Sequence, residues 1–253
     1  MAEALRHQAD ALRQRCDWDG ALEAARISGE VAARAGLVEL LAEALNAEAA
    51  VHASRGEHEA ASALLHRVLG LTEEARLRGM ALGNLGSIAA HRGDLDEAQR
   101  AFQRSAECFR AAGYRRGEAY QLNNVGRVTL DRGDVAAAAE ILHQAVGLSR
   151  TVEDGDLLAL TMLNLGEALM REGSLAKAEE MASSALGFFA TSGNTWRRIE
   201  ALKLLGDIHV RREDLATGIA CYRQGLSLAR EIGARPEIEL LERRVSDQMG
   251  AGA

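Results

Sequence analysis

The sequence predicts an all-α protein: a right-handed superhelical solenoid of six helix-turn-helix hairpins, closed by a C-terminal capping helix. Three observations predict it. First, a run of mostly apolar, glycine and amide residues ending in glycine returns with that glycine at 86, 126, 166 and 206, a spacing of 40 each time, and self-similarity at such a period marks stacked supersecondary units. Second, the 253-residue chain is 47% hydrophobic but only 4% aromatic and holds one proline, Pro236, so Ala and Leu must build the core and continuous helix is favoured over a many-stranded sheet. Third, a small residue and then Asp or Ser follow each run at a fixed distance, which is the punctuation between two helices.

Each unit is justified in turn by the same marks. The runs are Leu82-Gly83-Asn84-Leu85-Gly86, Leu122-Asn123-Asn124-Val125-Gly126, Met162-Leu163-Asn164-Leu165-Gly166 and Leu202-Lys203-Leu204-Leu205-Gly206. Seven residues on stand Gly93, Gly133, Gly173 and, departing from the pattern, Glu213, each followed by Asp94, Asp134, Ser174 or Asp214. A glycine there closes the first helix in the left-handed conformation, and the next side chain caps the second helix. Twelve residues after the repeated glycine come Ala98, Ala138, Ala178 and Gly218, small enough for the two helices to approach closely. Gly113, Gly193 and Gly233 end the second helices, while the fourth unit has Glu153 there and Gly155 two residues later.

Two units precede these. Ala61, with Gly56 and Glu57 before it, matches Ala98, and Ala49 takes the place of Gly86; Ala21, with Cys16 and Asp17 before it and Gly36 after it, matches again. Ala21 and Ala61 are 40 apart but Ala61 and Ala98 only 37, so the second unit is expected to lose three residues in its second helix or in the loop before Glu74. After Gly233, Pro236 opens a segment in which Ile238, Leu241 and Val245 share one helical face. The expected division is one solenoid domain over 1–253, with repeats at about 2–36, 37–73, 74–113, 114–153, 154–193 and 194–233 and a capping helix over 235–249.

These residues resemble the tetratricopeptide repeat family over nearly the whole chain, roughly Ala2 to Gly233. The Leu, Leu, Gly trio of the first helix and the small residue of the second carry the resemblance, with Phe102, Leu142 and Tyr222 as the large residues of the second helix and Ala182 as a departure. Other departures are Ala89, Thr129, Leu169 and His209 in place of the family's tyrosine, the missing closing proline, and a period of 40. Units of this length are similar to those of kinesin light chain, of bacterial quorum-sensing peptide receptors and of large ATP-dependent transcription regulators.

Stacked hairpins of this kind are expected to coil so that the first helices line a concave face. If the Leu and Gly face the second helix, the places two and three before the glycine, and one, four and five after it, face the groove. Five of the six asparagines in the chain fall there: Asn46, Asn84, Asn123, Asn124 and Asn164. Asn costs a helix about half a kcal/mol against Ala, and an amide presents a donor and an acceptor together, which suits the backbone of an extended peptide of any sequence. The resemblance implies the same use for Asn84, Asn124 and Asn164, since asparagines at this place in long-period members often hold bound peptide backbone. The alternative is that the amides bond neighbouring helix termini or water. Tyr120 shares its place with Met80 and Leu160, and Lys203 stands beside Leu204, which breaks the asparagine row. Arg127, Arg171 and Arg211 are further contact candidates, although Arg127 with Asp131, Glu167 with Arg171 and Asp207 with Arg211 are also i, i+4 pairs able to satisfy one another.

The remaining composition narrows the function classes. A formal charge of −7 argues against electrostatically driven nucleic-acid binding. Cys16, Cys108 and Cys221 are odd in number and far apart, so neither a disulfide framework nor a zinc site is expected, and a cytoplasmic location fits best. No apolar stretch suits a signal peptide or a membrane span. There is no phosphate loop, GxGxxG, HExxH or GxSxG, and His52, His58 and His66 are expected in packing and surface roles rather than around a metal. The resulting expectation is a non-enzymatic module without cofactor, holding an extended peptide segment of a partner protein in the groove through an asparagine ladder. Two alternatives stand beside it: a sensory or regulatory module responding to a signalling peptide or small effector, and a self-associating assembly scaffold, so a homo-oligomer is possible.

Overall fold

The computed structural model describes residues 2–15 and 17–250, which leaves Cys16 outside the described residues. Among these there are thirteen α-helices and no strand. They are α1 (Ala2–Gln14), α2 (Trp18–Arg34), α3 (Val38–Ser54), α4 (His58–Leu71), α5 (Ala75–His91), α6 (Leu95–Ala111), α7 (Arg115–Asp131), α8 (Val135–Ser149), α9 (Gly155–Glu172), α10 (Leu175–Ser192), α11 (Thr195–Arg211), α12 (Leu215–Glu231) and α13 (Arg235–Gly250). The chain resolves into two compact units, Met1–Val128 and Thr129–Ala253, with the boundary falling inside α7.

The turns form for the local reasons the sequence indicates. Gly93, Gly133 and Gly173 have φ of 78°, 90° and 95°, and the following carboxylate accepts the exposed amide three residues on: Asp94 from Glu97 N at 3.0 Å and Asp134 from Ala137 N at 3.2 Å. Ser174 departs from this pattern, its hydroxyl donating to Glu172 at 3.1 Å instead of capping α10. Where glycine is missing, the left-handed conformation persists on a glutamate, with φ of 65° at Glu213 and 47° at Glu153. Gly155 therefore closes nothing; it opens α9, which Asp154 caps by accepting Leu157 N at 2.9 Å. A residue with a Cβ costs about 1–2 kcal/mol in that conformation, part of which glycine returns through its larger unfolded-state entropy. Glu213→Gly is accordingly expected to stabilise the second unit by about 1 kcal/mol, read as a rise in urea midpoint; an unchanged or lowered midpoint would contradict the strain at this turn.

Within each hairpin the repeated glycine sits against the second helix. A Cβ added at Gly86 would lie 2.6 Å from the Phe102 ring, whereas at Gly166, opposite the small Ala182, the space is taken by Leu204 of the next first helix, 3.3 Å away. The first unit is centred on Ala42, Leu45, Leu65, Val68, Leu77 and Ile88, all buried. The second has its largest cluster around Leu130, Leu142, Leu165, Phe189, Leu205 and Ile208. The shortened repeat is resolved in α4, which has 14 residues where α6 has 17. Its chain leaves through an extended Thr72, and the Arg78 guanidinium donates to the freed carbonyls of Leu69 at 2.8 Å and Thr72 at 3.1 Å.

Arginines fix the register between successive hairpins inside each unit. Arg55 pairs with Asp19 at 2.9 Å and Arg92 with Glu59 at 2.6 Å, and Arg212 pairs with Glu179 in the same way. At α13 the pattern closes. Leu241 is buried, with Ile238 and Val245 packed beside it against α12. On the side of a first helix that would meet its own second helix, α13 carries exposed Glu239 and Glu242 where α11 has buried Ile199 and Leu202. Glu242 is held by Arg230 at 2.6 Å. An acidic outer face of this kind ends a stack instead of extending it.

Candidate functional site

Two adjacent places in the first helices, indistinguishable in sequence, differ in the folded chain. Three residues before the repeat position the side chains turn into the packing between successive first helices. Asn46 is 2% exposed and its Nδ2 donates to the Leu77 carbonyl at 3.3 Å, while Asn123 is 3% exposed. The equivalent Gly83 is so close to α7 that a Cβ would sit 2.6 Å from the Gln121 amide. Asn46 and Asn123 are thus corrected from groove residues to buried ones, because a step of one residue rotates the side chain about 100° around the helix. Two residues before the repeat position, Asn84, Asn124 and Asn164 remain half-buried and reachable. Leu204 at that place is buried.

In the first unit, α5 presents Met80, Asn84, Ser87 and His91 along one stripe, and α7 presents Tyr120, Asn124 and Arg127. Met80 is 36% and Tyr120 48% exposed. The Asn124 amide donates to Gln121 Oε1 at 3.2 Å, and Asn84 has no hydrogen-bond partner among the described residues. Beneath the stripe lies a polar seam that the sequence pattern did not single out: buried Ser105 donates to the Gly79 carbonyl at 2.5 Å, next to buried Gln121.

In the second unit the stripe is occupied to a greater extent by the protein's own contacts. Arg171 pairs with Glu167 at 2.5 Å, the expected i, i+4 pair, and also donates to the Leu130 carbonyl at 3.2 Å. Arg211 reaches the Met170 carbonyl at 3.1 Å. Each arginine caps the C-terminal end of the preceding first helix, which accounts for its place in the repeat without a ligand. Lys203 is half-buried and without a carboxylate partner among the described residues. Asp207 does not pair with Arg211. It accepts the Tyr222 hydroxyl at 2.6 Å and forms an ion pair with Arg244 of α13, whose guanidinium lies 5.7 Å from the centre of the Tyr222 ring. Carrying the 40-residue spacing one step past Leu204 leads to Arg244, which marks the position but not its contact with Asp207. Burial pushes the Tyr222 phenol up to about 12.

Other polar groups are accounted for locally. His52 lies 2.5 Å from Glu57, whose carboxyl it holds below the usual range, and the His58 and His91 rings are 5.4 Å apart. Among the described residues no three His, Cys, Asp or Glu side chains are grouped to hold a metal ion. The Cys108 and Cys221 thiols are pushed up by burial, which keeps them protonated and weakly nucleophilic. No described helix is long and apolar enough to cross a membrane.

The tetratricopeptide repeat family profile matches residues 77–151. No curated protein matches in sequence. Several solved structures are similar in fold. BtubC (BKLC) from P. vanneervenii is 16% identical with a TM-score of 0.71, over 91% of this chain and 92% of that one. A Rap protein complexed with Competence and Sporulation Factor is 11% identical with a TM-score of 0.73, over 100% of this chain and 83% of that one. A Podospora anserina putative kinesin light chain with nearly identical TPR-like repeats is 15% identical with a TM-score of 0.59, over 76% of this chain and 96% of that one. Residues 77–151 thus match the tetratricopeptide repeat family, and the same punctuated hairpin is repeated before and after them.

Proposed function

We propose that this chain is a non-enzymatic protein-interaction module that holds an extended segment of a partner protein. The amides of Asn84 and Asn124 in the first unit, and of Asn164 in the second, take the partner's backbone. The observation that carries this reading is the contrast between neighbouring places: asparagines three before the repeat position are buried, and those two before it stay reachable. A half-buried amide is a poor helix former kept where no internal bond explains it at Asn84. That a similarly folded Rap protein is solved with Competence and Sporulation Factor supports a ligand-holding role for this architecture.

Each well-made bond contributes about 0.5–1.5 kcal/mol net, so the three amides together stop short of micromolar binding and flanking side chains must add the remainder. The test is affinity capture followed by mass spectrometry, then titration of the captured partner's segment. Replacing Asn84, Asn124 and Asn164 together by Ala is expected to weaken binding about tenfold to a thousandfold. Ala favours the helix, so the variant stays folded and the loss reports recognition. Equal affinity for the native and triple-variant chains would overturn the reading.

A further inference from the structure

The tight turns of the second and third hairpins bring two imidazoles together. His58 is the first residue of α4 and His91 the last of α5, so the pair joins consecutive repeats of the first unit. Their ring centres are 5.4 Å apart with the planes inclined at 53°, and neither ring has a hydrogen-bond partner among the described residues. The Nδ1 of His58 is buried and unsatisfied, and an orphaned polar atom of this kind calls for a water or an ion. His52 and His209 differ in this respect, since a carboxylate faces each: Glu57 at 2.5 Å and Asp214 at 3.6 Å. Acids outnumber bases around the pair. Glu57, Glu59 and Asp94 stand with Arg55 and Arg92 in these two turns, and both arginines are already tied, Arg55 to Asp19 and Glu57, Arg92 to Glu59.

We propose that His58 and His91 form a two-imidazole site for a divalent transition-metal ion of the zinc and nickel class. The spacing suits one. An ion about 2.0–2.1 Å from an imidazole nitrogen lies about 3.2 Å from the ring centre, and two rings bound at a tetrahedral angle have centres about 5.2 Å apart, close to the 5.4 Å observed. An ion between the rings would also take the buried Nδ1. Neutral imidazole suits these metals, whereas magnesium and calcium take oxygen. Two ligands fixed on neighbouring helices act as a chelate, each raising the effective concentration of the other. Water fills the remaining positions, so the ion exchanges, unlike a structural zinc closed by four protein ligands. His91 continues the α5 line of Met80, Asn84 and Ser87, which puts the ion at the end of that stripe, tying the second repeat to the third. His58 and His91 are far apart in sequence, and only the stacking of the hairpins joins them.

The experiment strips the full chain with EDTA, titrates it with ZnCl2 and NiCl2 by calorimetry, and measures the urea midpoint with and without each ion. One ion per chain and a raised midpoint are expected. Binding should fade in acid, where the imidazoles take up protons, and MgCl2 should give neither signal. His91→Gln, at an exposed position, is expected to weaken binding about a hundredfold by leaving a single ligand, with its metal-free midpoint unchanged. His58→Gln should weaken it likewise, while His66→Gln, an exposed histidine away from the pair, changes nothing. Should His58→Gln also lower the metal-free midpoint, His91→Gln decides alone. Replacing Asn84, Asn124 and Asn164 by Ala is expected to leave metal binding as it is, so the site stands or falls apart from the peptide reading. Equal affinity of the native and His91→Gln chains, an equal loss in His66→Gln, or no binding by the native chain would overturn the proposal.

Discussion

Tyr222→Ala is expected to lower the stability of the second unit by about 3–5 kcal/mol, against about 1–1.5 kcal/mol for Tyr222→Phe. The difference follows from what the ring does. It is 2% exposed and fills the space over Gly206, where a Cβ would collide with it. Removing the ring leaves a cavity between α11 and α12, while removing only the hydroxyl leaves packing intact and loses the bond to Asp207. Asp207 keeps Arg244 in either variant, so no buried charge is stranded. Amide exchange localises the effect: in Tyr222→Ala, α11 to α13 lose protection while α3 to α5 keep theirs, because stacked hairpins interact mainly with their neighbours. The same residue sets a pH dependence. A phenol raised from 10.0 to about 12 on folding is neutral-favoured in the native chain. Its contribution is complete below pH 10 and is lost as pH rises toward about 12. Tyr222→Phe should remove that part of the alkaline loss. Equal destabilisation by Ala and Phe, or identical alkaline profiles for the native chain and Tyr222→Phe, would show that the ring and its hydroxyl do not act as described.

The helical turns were legible because their causes are local. Gly93 and Asp94 need only the left-handed backbone and one capping bond, and both are encoded within a few residues. Even the failures of the pattern were informative, since Glu213 and Glu153 mark the turns where the backbone conformation is kept at a cost. The shortened α4 was visible as a missing three residues, but its repair was not. Arg78 reaching back to Leu69 and Thr72 depends on where the chain leaves the helix, which spacing alone does not fix. The role of Arg244 was hidden for a related reason. Ile238, Leu241 and Val245 identified the buried face of α13, whereas the contact with Asp207 requires the rotation of α13 relative to α11.

The candidate site shows the same limit at the scale of one residue. Amphipathic spacing resolves a helical face to about 100° per residue, and both places before the repeat glycine fall within the expected strip. Which one opens outward is decided by the distance between successive first helices, and Gly83 against Gln121 shows how small that distance is. Asn123 and Asn124 stand side by side in sequence with opposite surroundings.

Asn46 turns that distinction into a measurement. Its Nδ2 has the Leu77 carbonyl, a weak bond at 3.3 Å, and its Oδ1 is buried with no partner. A buried acceptor left unbonded costs about 1–3 kcal/mol, and the equivalent place in the fifth repeat is filled by Leu163, 6% exposed. Asn46→Leu is therefore expected to stabilise the first unit by about 1 kcal/mol, the unpaired acceptor's cost being partly offset by the tighter fit of a larger side chain. Asn46→Asp presents the same shape with a buried charge and sets an oxygen against the Leu77 carbonyl, and is expected to cost about 3 kcal/mol or more at neutral pH, recovering as acid protonates it. Urea midpoints of the three chains order the effect, and peptide titration separates it from recognition. Asn46→Leu should bind as the native chain does, while Asn84→Ala weakens binding without lowering the midpoint. A first unit destabilised by Asn46→Leu, together with lost binding, would place Asn46 among the ligand contacts and undo the division between buried and reachable amides.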